Sequence, residues 1–236
     1  MWILRQTTKN FGHLVDKVPL AFFDILCYLL GEENRSLMTV LRAFIAIELS
    51  ADIQRELDRL SGSLRHRLSG KSVRWVPAEN IHLTLKFLGN VSPANLEALQ
   101  SVLHTEAARF APFELRVAGL GAFPSTRRPR VVWVGVQAPV ELGQLQRGLE
   151  EGLTYLGYSP EGRSFTPHLT LGRVSQSANN TELKRIGEAV VDLKVGELGA
   201  MQVQEVRLYR SDLQPGGAVY TCLYTAELRT YPKIGG

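Results

Sequence analysis

One tetrapeptide occurs twice in this chain and limits what the chain can fold into. The segment His82–Leu85 reads His-Leu-Thr-Leu, and His168–Leu171 repeats it. In a β-strand, residues i and i+2 point to the same face of the sheet. Each copy therefore predicts a strand with a histidine beside a threonine on one face and two core-facing leucines on the other. A single His-x-Thr strand is usually an ordinary pleated surface. The sequences on either side of the two copies must therefore show whether the motif is functional.

The flanks of both copies follow the same order of elements: strand, helix, motif strand, helix and strand. The first half begins with the β-prone segment Leu41–Leu49, and the second half begins with Val131–Val136. An order of elements that repeats around the same motif indicates an internal duplication. We therefore predict an α+β fold of two pseudo-symmetric lobes, each an antiparallel sheet with flanking helices. The motif strands would face each other across a central cleft.

The remaining elements are read from apolar periodicity. Strands are predicted at Val73–Val76, Phe113–Val117, Met201–Tyr209 and Val219–Leu228, and helices at about 53–68, after a cap at Ser92, at 142–156 and at about 181–191. Residues 1–37 do not continue the pattern, and their apolar run, Val18–Leu30, is too short to span a bilayer. We expect Met38 to be the functional start. This divides the chain into an N-terminal extension, residues 1–37, and a bilobal domain, residues 38–232.

Composition narrows the class of protein. The two cysteines, Cys27 and Cys222, are far apart, which argues against a disulfide scaffold or a structural zinc site. We therefore expect a reducing, cytoplasmic setting. We also expect a monomer with no membrane association. The formal net charge is +4, with the whole surplus after residue 37. A mildly basic domain suits a phosphorylated or polyanionic partner, although a solubilising surface accounts for the charge equally well.

The paired histidines suit acid–base chemistry. Histidine titrates near neutral pH, so one imidazole can take a proton while the other gives one. The adjacent threonine hydroxyls can donate hydrogen bonds to phosphoryl oxygens. A metal site is the main alternative, but neither motif has a carboxylate partner suited to zinc. No phosphate-binding P-loop and no Gly-x-Ser-x-Gly nucleophile motif is present. Phosphodiester chemistry without a metal or another cofactor fits best.

Other residues offer weaker candidates for ligand contact. Arg173 lies five residues after His168, so a regular strand would point it away from the histidine unless Gly172 permits a bulge. Its charge could stabilise phosphoryl oxygens, or it could be a surface arginine. The basic loop Pro124–Arg130, with Arg130 at its end, could bind a nucleic-acid backbone. The strand aromatics Phe44, Trp133 and Tyr209 could stack on a base or pack in the core.

The paired motifs with their flanks resemble the two-histidine (2H) phosphoesterase superfamily. The closer likeness is to the RNA 2′,3′-cyclic phosphodiesterases, also called 2′-5′ RNA ligases. It is carried by Leu41–Ile47, Trp75–Gly89, Arg128–Val136 and Thr166–Arg173, and covers roughly residues 38–230. The resemblance implies a bilobal α+β fold with both motifs in a central cleft. It also implies hydrolysis of a 2′,3′-cyclic phosphate to a 2′-phosphate without metal or ATP.

The resemblance assigns roles that the symmetric motifs alone cannot. His82 is similar to the proton donor of the family, which protonates the leaving 3′ oxygen, and His168 to the base that activates water. Thr84 and Thr170 would hold the phosphate, and Arg173 matches an arginine of the family site. RNA with a 2′,3′-cyclic phosphate end, or a cyclic nucleotide, is the expected partner, and reversal of the reaction would form a 2′-5′ link. Two alternatives stay open: a non-catalytic module that binds RNA ends, and a phosphodiesterase for 2′-5′ oligonucleotides.

Overall fold

Two antiparallel sheets contain every strand of the described residues. The structure, a computed structural model, describes residues 40–229 except Ser69, Lys71 and Gly216. The strands are β1 (Leu41–Glu48), β2 (Val73–Trp75), β3 (His82–Val91), β4 (Phe113–Phe123), β5 (Val131–Gln137), β6 (His168–Val174), β7 (Glu197–Val203), β8 (Glu205–Gln214) and β9 (Gly217–Glu227). The helices are α1 (Ala51–Leu68), α2 (Leu96–Ala107), α3 (Val140–Tyr155) and α4 (Asn180–Asp192). The predicted extension, residues 1–37, and both ends of the predicted domain 38–232 lie outside the described residues.

Each sheet takes strands from both halves of the chain. The first sheet has the order β3-β1-β8-β9, and the second has the order β2-β6-β5-β4-β7. Each motif strand pairs with the strand that opens its own half, β3 with β1 and β6 with β5. The next strand in each sheet comes from the other half, β8 in the first sheet and β4 in the second. The duplicated units are therefore interlocked.

The helices are exchanged in a similar way. Helices α2 and α3 pack against the first sheet, whereas α1 and α4 pack against the second. The buried positions of α1 are Ile53, Leu57, Leu60, Ser61 and Leu64, and those of α3 are Leu142, Leu145, Gln146, Leu149 and Leu153. Their spacing of three and four residues forms one apolar face per helix. Burying a leucine side chain contributes about 1.5–3 kcal/mol, so these faces hold the layers together.

The predicted fold class is confirmed, with one wrong element. The apolar pattern predicts a single strand over Met201–Tyr209, but the chain breaks at Gln204. Val203 ends β7 in the second sheet, and Val206 lies in β8 in the first. Both valines are buried, so the apolar pattern runs through the break. The pattern records burial but not which sheet receives the strand, which explains the error.

Helices α2 and α4 begin in different ways. The helix predicted after Ser92 begins as a 3₁₀ turn, Pro93–Asn95, before the α-helix at Leu96. Helix α4 is capped by Asn179, whose side chain accepts a hydrogen bond from the backbone N–H of Glu182 at 3.0 Å. Across residues 40–229, no helix combines the length and apolar character needed to cross a membrane.

Candidate active site

The two motif strands carry the same irregularity at the same place. In β3 the pairing to β1 shifts after Thr84, so that Lys86 lies opposite Ile45. In β6 the pairing to β5 shifts after Thr170, so that Gly172 lies opposite Val132. Each strand thus has a β-bulge at the last leucine of its motif, which reverses the alternation of side chains. The duplication therefore extends to the backbone geometry of the site.

Both motif histidines are anchored through the same ring atom. His82 Nδ1 lies 2.8 Å from the carbonyl oxygen of Asn80, and His168 Nδ1 lies 2.7 Å from that of Thr166. A carbonyl oxygen can only accept a hydrogen bond, so each Nδ1 carries a proton and donates it. Each neutral imidazole then has an unprotonated Nε2. The two rings are held in the same tautomer, with Nε2 available to take up or release a proton.

His82 lies in an aromatic environment. Its ring stacks on Phe44, with 4.6 Å between centroids, and Tyr220 meets it edge-on at 5.1 Å. Burial lowers the pKa of His82 to about 4; the hydrogen bond to Asn80 opposes this shift, and the positive charge of Arg173 adds to it. In the free protein His82 is therefore neutral at pH 7.

His168 has a different environment, although its anchoring is the same. Phe123 meets its ring edge-on at 5.0 Å, and Trp133 approaches it at 6.4 Å. Neither ring stacks on His168, in contrast to Phe44 on His82. The duplicated motifs thus have the same backbone frame but different aromatic contacts, which gives the two imidazoles different surroundings.

The motif threonines lie where the strand pattern places them. Thr84 is opposite Ala46, and Thr170 is opposite Trp133. Both threonines are half-buried, and the flanking leucines of both motifs are buried in the core. Each threonine therefore shares a face with its histidine, and the predicted division between a polar face and a leucine face is confirmed.

Arg173 is brought to the histidine side by the bulge. Gly172 is buried and Arg173 is exposed, the reverse of what a regular strand would give. Strands β3 and β6 contact each other. The positive charge of Arg173 acts on His82 and on Tyr220, which belong to the other sheet. The guanidinium is therefore near enough to the first histidine to lower its pKa, although it is on the strand of the second.

Two aromatic residues predicted as possible contacts of a nucleobase have different environments. Phe44 is 3% exposed and also stacks on Tyr209 at 5.3 Å, so the packing alternative is favoured for this ring. Trp133 is half-buried and tilts against Phe123 at 5.0 Å between centroids. It lies opposite Gly121, where an added Cβ would come within 2.3 Å of the indole. The absence of a side chain at Gly121 thus makes room for the indole beside Thr170.

Arg130 lies at the end of the loop between β4 and β5. Its side chain donates to the carbonyl oxygen of Ser175 at 3.4 Å, and its own carbonyl oxygen accepts from Val174 N–H at 2.9 Å. The loop and helix α4 line an open groove that includes Arg127, Arg128 and Lys184. Arg130 therefore forms its hydrogen bonds at the far end of β6, past Arg173, and not at the motif itself.

Three residues near the motifs were missed by sequence reasoning. Tyr220 contacts His82, Arg74 lies opposite Arg173, and Lys86 is buried at the first bulge. Tyr220 and Arg74 reach the site through pairings between distant strands, which no local pattern reveals. Lys86 could have been noticed, because it follows the first motif where Gly172 follows the second.

The geometry provides two imidazoles that are able to transfer protons and a set of hydrogen-bond donors. Within residues 40–229, no three His, Cys, Asp or Glu side chains are grouped so as to hold a metal ion. The motif strands instead supply two imidazoles with free Nε2 atoms and two hydroxyls, and Arg173 adds a positive charge. Such a set suits an anionic ligand whose reaction needs one proton taken and one given.

Known proteins share both the sequence and the fold. A family model described as LigT like Phosphoesterase matches the chain twice, over residues 47–133 and 134–220, with one motif in each match. The RNA 2′,3′-cyclic phosphodiesterase of Methanothermobacter thermautotrophicus is 38% identical over 180 residues, which cover 76% of this chain and 95% of that protein.

Two solved structures are similar along most of their length. TT0787 of Thermus thermophilus matches with a TM-score of 0.67 at 30% identity, covering 80% of this chain and 98% of that one. E. coli LigT complexed with 3′-AMP matches with a TM-score of 0.64 at 30% identity, covering 81% of this chain and all (100%) of that one. With one family match in each half, the chain belongs to the LigT-like phosphoesterase family.

Proposed function

We propose that this protein hydrolyses the 2′,3′-cyclic phosphate at RNA ends to a 2′-phosphomonoester, with two histidines as acid and base. The observation that carries the proposal is the identical anchoring of His82 and His168, which leaves one Nε2 on each ring for proton transfer. The printed name of the M. thermautotrophicus relative, RNA 2′,3′-cyclic phosphodiesterase, supports the choice of substrate.

The reaction needs one proton removed and one supplied. His168 Nε2 takes a proton from water, and the water oxygen forms a bond to phosphorus. The bond between phosphorus and the 3′ oxygen breaks, and His82 Nε2 gives its proton to that oxygen. The products are a 2′-phosphate and a 3′-hydroxyl. Each positioned acid or base of this kind typically contributes ~10²–10⁴-fold to the rate.

The phosphate itself would be held by the remaining motif residues. The hydroxyls of Thr84 and Thr170 donate to non-bridging oxygens, and Arg173 balances the negative charge that develops on them. Donors that are already oriented stabilise a transition state without having to reorganise during the reaction. The bulge after Thr170 supports this role for Arg173, because it turns the guanidinium towards the side on which His82 lies.

The proton donor must be charged when the substrate is bound. In the free protein burial holds the pKa of His82 at about 4, so it is neutral at pH 7. A phosphate anion next to an imidazole favours the charged form and raises its pKa. Substrate binding would thus protonate His82 and prepare it to act as an acid. His168 has no stacked ring and serves as the base.

The remaining expectations belong to the same proposal. The reaction uses no metal, nucleotide or other cofactor, and the protein acts as a monomer in the cytoplasm. Light scattering of the purified protein checks the monomer, and fractionation of the source cells checks the location. Reversal of the same steps would join a cyclic phosphate end to a 5′-hydroxyl as a 2′-5′ link.

The decisive experiment is to identify the product. The purified protein is incubated with an RNA oligonucleotide ending in a 2′,3′-cyclic phosphate, in EDTA, and the product is followed by ³¹P NMR. We expect a 2′-phosphate. A 3′-phosphate would contradict the assigned leaving group. Binding without turnover would indicate a non-catalytic module. Preferred cleavage of a 2′-5′-linked oligonucleotide, tested in the same assay, would indicate the oligonucleotide phosphodiesterase.

A further inference from the structure

Two arginines lie side by side next to the motif of the second sheet. Arg74 of β2 is the direct cross-strand partner of Arg173 of β6. Directly opposite residues of an antiparallel pair share a face, with Cβ atoms roughly 4.5–5.5 Å apart, and like charges in such a pair repel each other. Both arginines are exposed, and neither forms an ion pair with a carboxylate in residues 40–229. The repulsion would be relieved by an anion bound between them.

The position of this pair is defined by both sheets. Arg74 is on β2, the edge strand of the second sheet, one strand beyond Arg173. Its Nη2 points towards Gly217 at the start of β9. A Cβ added to this glycine would lie 3.8 Å from that nitrogen. The charges of Arg74 and Arg173 act on Tyr220, whose ring meets His82 edge-on. The pair therefore extends from the histidine site to the edge of the second sheet.

A third arginine and the neighbouring acidic groups define the local charge. Arg42 of β1 also acts on Tyr220 and has no carboxylate partner among the described residues. The nearby acid Glu48, opposite His82, is engaged by Arg207. Three arginines therefore act on Tyr220, beside His82, which suits a ligand with more than one phosphate group.

We propose that Arg74, together with Arg173, forms a second phosphate site that binds the phosphodiester on the 5′ side of the terminal nucleotide, so that the enzyme selects oligonucleotide ends over mononucleotides. The inference rests on the proposed function, in which the cyclic phosphate lies between His82 and His168. Arg173 then faces both phosphates, and Arg74 contacts only the second. A guanidinium donates two parallel hydrogen bonds to a phosphodiester, which makes it a suitable group for this contact.

Two dinucleotides test this site directly. Both end in a 2′,3′-cyclic phosphate and differ only in their internal linkage, a phosphodiester in one and a neutral methylphosphonate in the other. For the native protein we expect a KM about tenfold lower with the charged linkage, since hydrogen bonds to charged groups are the stronger class. The Arg74→Gln variant should raise KM about tenfold for the charged dinucleotide only, with kcat unchanged for both.

The salt dependence of kcat/KM distinguishes the two roles of Arg74, because it would not change if Arg74 only stabilised the fold. Loss of one phosphate contact on a single strand reduces the magnitude of the negative slope of log(kcat/KM) against log(salt) by about 0.7. Arg74→Gln should show this decrease with the charged dinucleotide and not with the neutral one. Arg147→Gln is the matched control, because Arg147 is exposed on α3 and bonds to the Gly143 carbonyl. It should behave as the native protein.

Two results would overturn the proposal. One is a native protein with the same KM for both dinucleotides. The other is an Arg74→Gln variant that raises KM equally for both, which would assign Arg74 to the reacting phosphate or to the fold. If neither dinucleotide is hydrolysed, the proposed function fails, and the second site is then judged by calorimetric binding of the 2′-phosphate forms of the same two dinucleotides. Equal affinity would reject the site.

Discussion

His82 stacks on Phe44 with 4.6 Å between the ring centroids and 25° between the ring planes. Phe44 is almost completely buried, so the imidazole lies against the core of the first sheet. This contact distinguishes His82 from His168, which has the same backbone anchor but no stacked ring. The chain therefore presents one backbone frame twice and gives the two motif histidines different aromatic neighbours.

The first prediction concerns the response of His82 to an anion. Without ligand, burial holds the pKa of His82 at about 4. Inorganic phosphate placed beside the ring should raise this pKa, because an opposite charge favours the imidazolium. NMR titration of the histidine ring signals, with and without phosphate, checks this. A pKa of His82 that is unchanged at saturating phosphate would contradict the proposed role as a substrate-charged acid.

The same pKa predicts how stability depends on pH. His82 has an ordinary value of 6.5 in the unfolded chain and about 4 in the folded protein, so the unfolded chain binds more protons between these values. The stabilising effect of keeping the ring neutral is fully present above pH 6.5 and is lost as pH falls towards 4. At about 1.4 kcal/mol per pKa unit, the loss is up to about 3 kcal/mol.

Urea denaturation at several pH values measures this dependence. The His82→Gln variant lacks the titrating group, so its free energy of unfolding should fall less steeply than that of the native protein between pH 6.5 and 4. Equal slopes for the two proteins would show that His82 is not the group responsible.

A third prediction concerns the buried ion pair beside the first motif. Lys86 is 1% exposed, and its Nζ lies 2.7 Å from both Glu150 Oε2 and the carbonyl oxygen of Ser159. Ser159 belongs to the segment that leads to the second motif. Glu150→Gln leaves the ammonium without its counterion and should destabilise the protein by about 3–5 kcal/mol.

The double variant Lys86→Met/Glu150→Gln separates the charge effect from packing. Replacing both partners of a buried pair is often close to neutral, so this variant should recover much of the lost stability. The free energies of unfolding from urea titrations decide. A double variant as unstable as Glu150→Gln would mean that packing, and not the unpaired charge, causes the loss.

A fourth prediction concerns the space beneath Trp133. A Cβ at Gly121 would lie 2.3 Å from the indole, so Gly121→Ala must displace the ring that lies opposite Thr170. We expect a loss of about 1–3 kcal/mol in stability, as for other overpacked sites, and a higher KM. Gly143→Ala on α3 is the control, since nothing lies within 4 Å of its added Cβ. It should stabilise the helix by about 0.5–1 kcal/mol.

The sequence predicted the local features of the site well. Strand alternation placed each threonine beside its histidine, and Gly172 was named as the residue at which a bulge could turn Arg173. Both depend only on neighbours along the chain. The proposed roles of these residues in catalysis stay predictions until variants are measured.

Long-range pairing could not be read from the sequence. Tyr220 reaches His82 because β9 pairs with β8 and β8 pairs with β1. Arg74 reaches Arg173 because β2 pairs with β6, a strand of the other half. The break at Gln204 separates β7 and β8, which follow each other in the chain, into different sheets, and this too depends on long-range pairing. Apolar patterns report which residues are buried, whereas strand order depends on how both halves interlock.

The central claim is that two imidazoles exchange protons across one phosphorus atom. Single turnover of a dinucleotide 2′,3′-cyclic phosphate in EDTA, compared among the native protein, His82→Asn, His168→Asn and the double variant, tests it most directly. We predict that each single variant loses at least about a hundredfold in rate and that the double variant loses little more, because the two groups act as a unit. A folded single variant that keeps the native rate would contradict the claim.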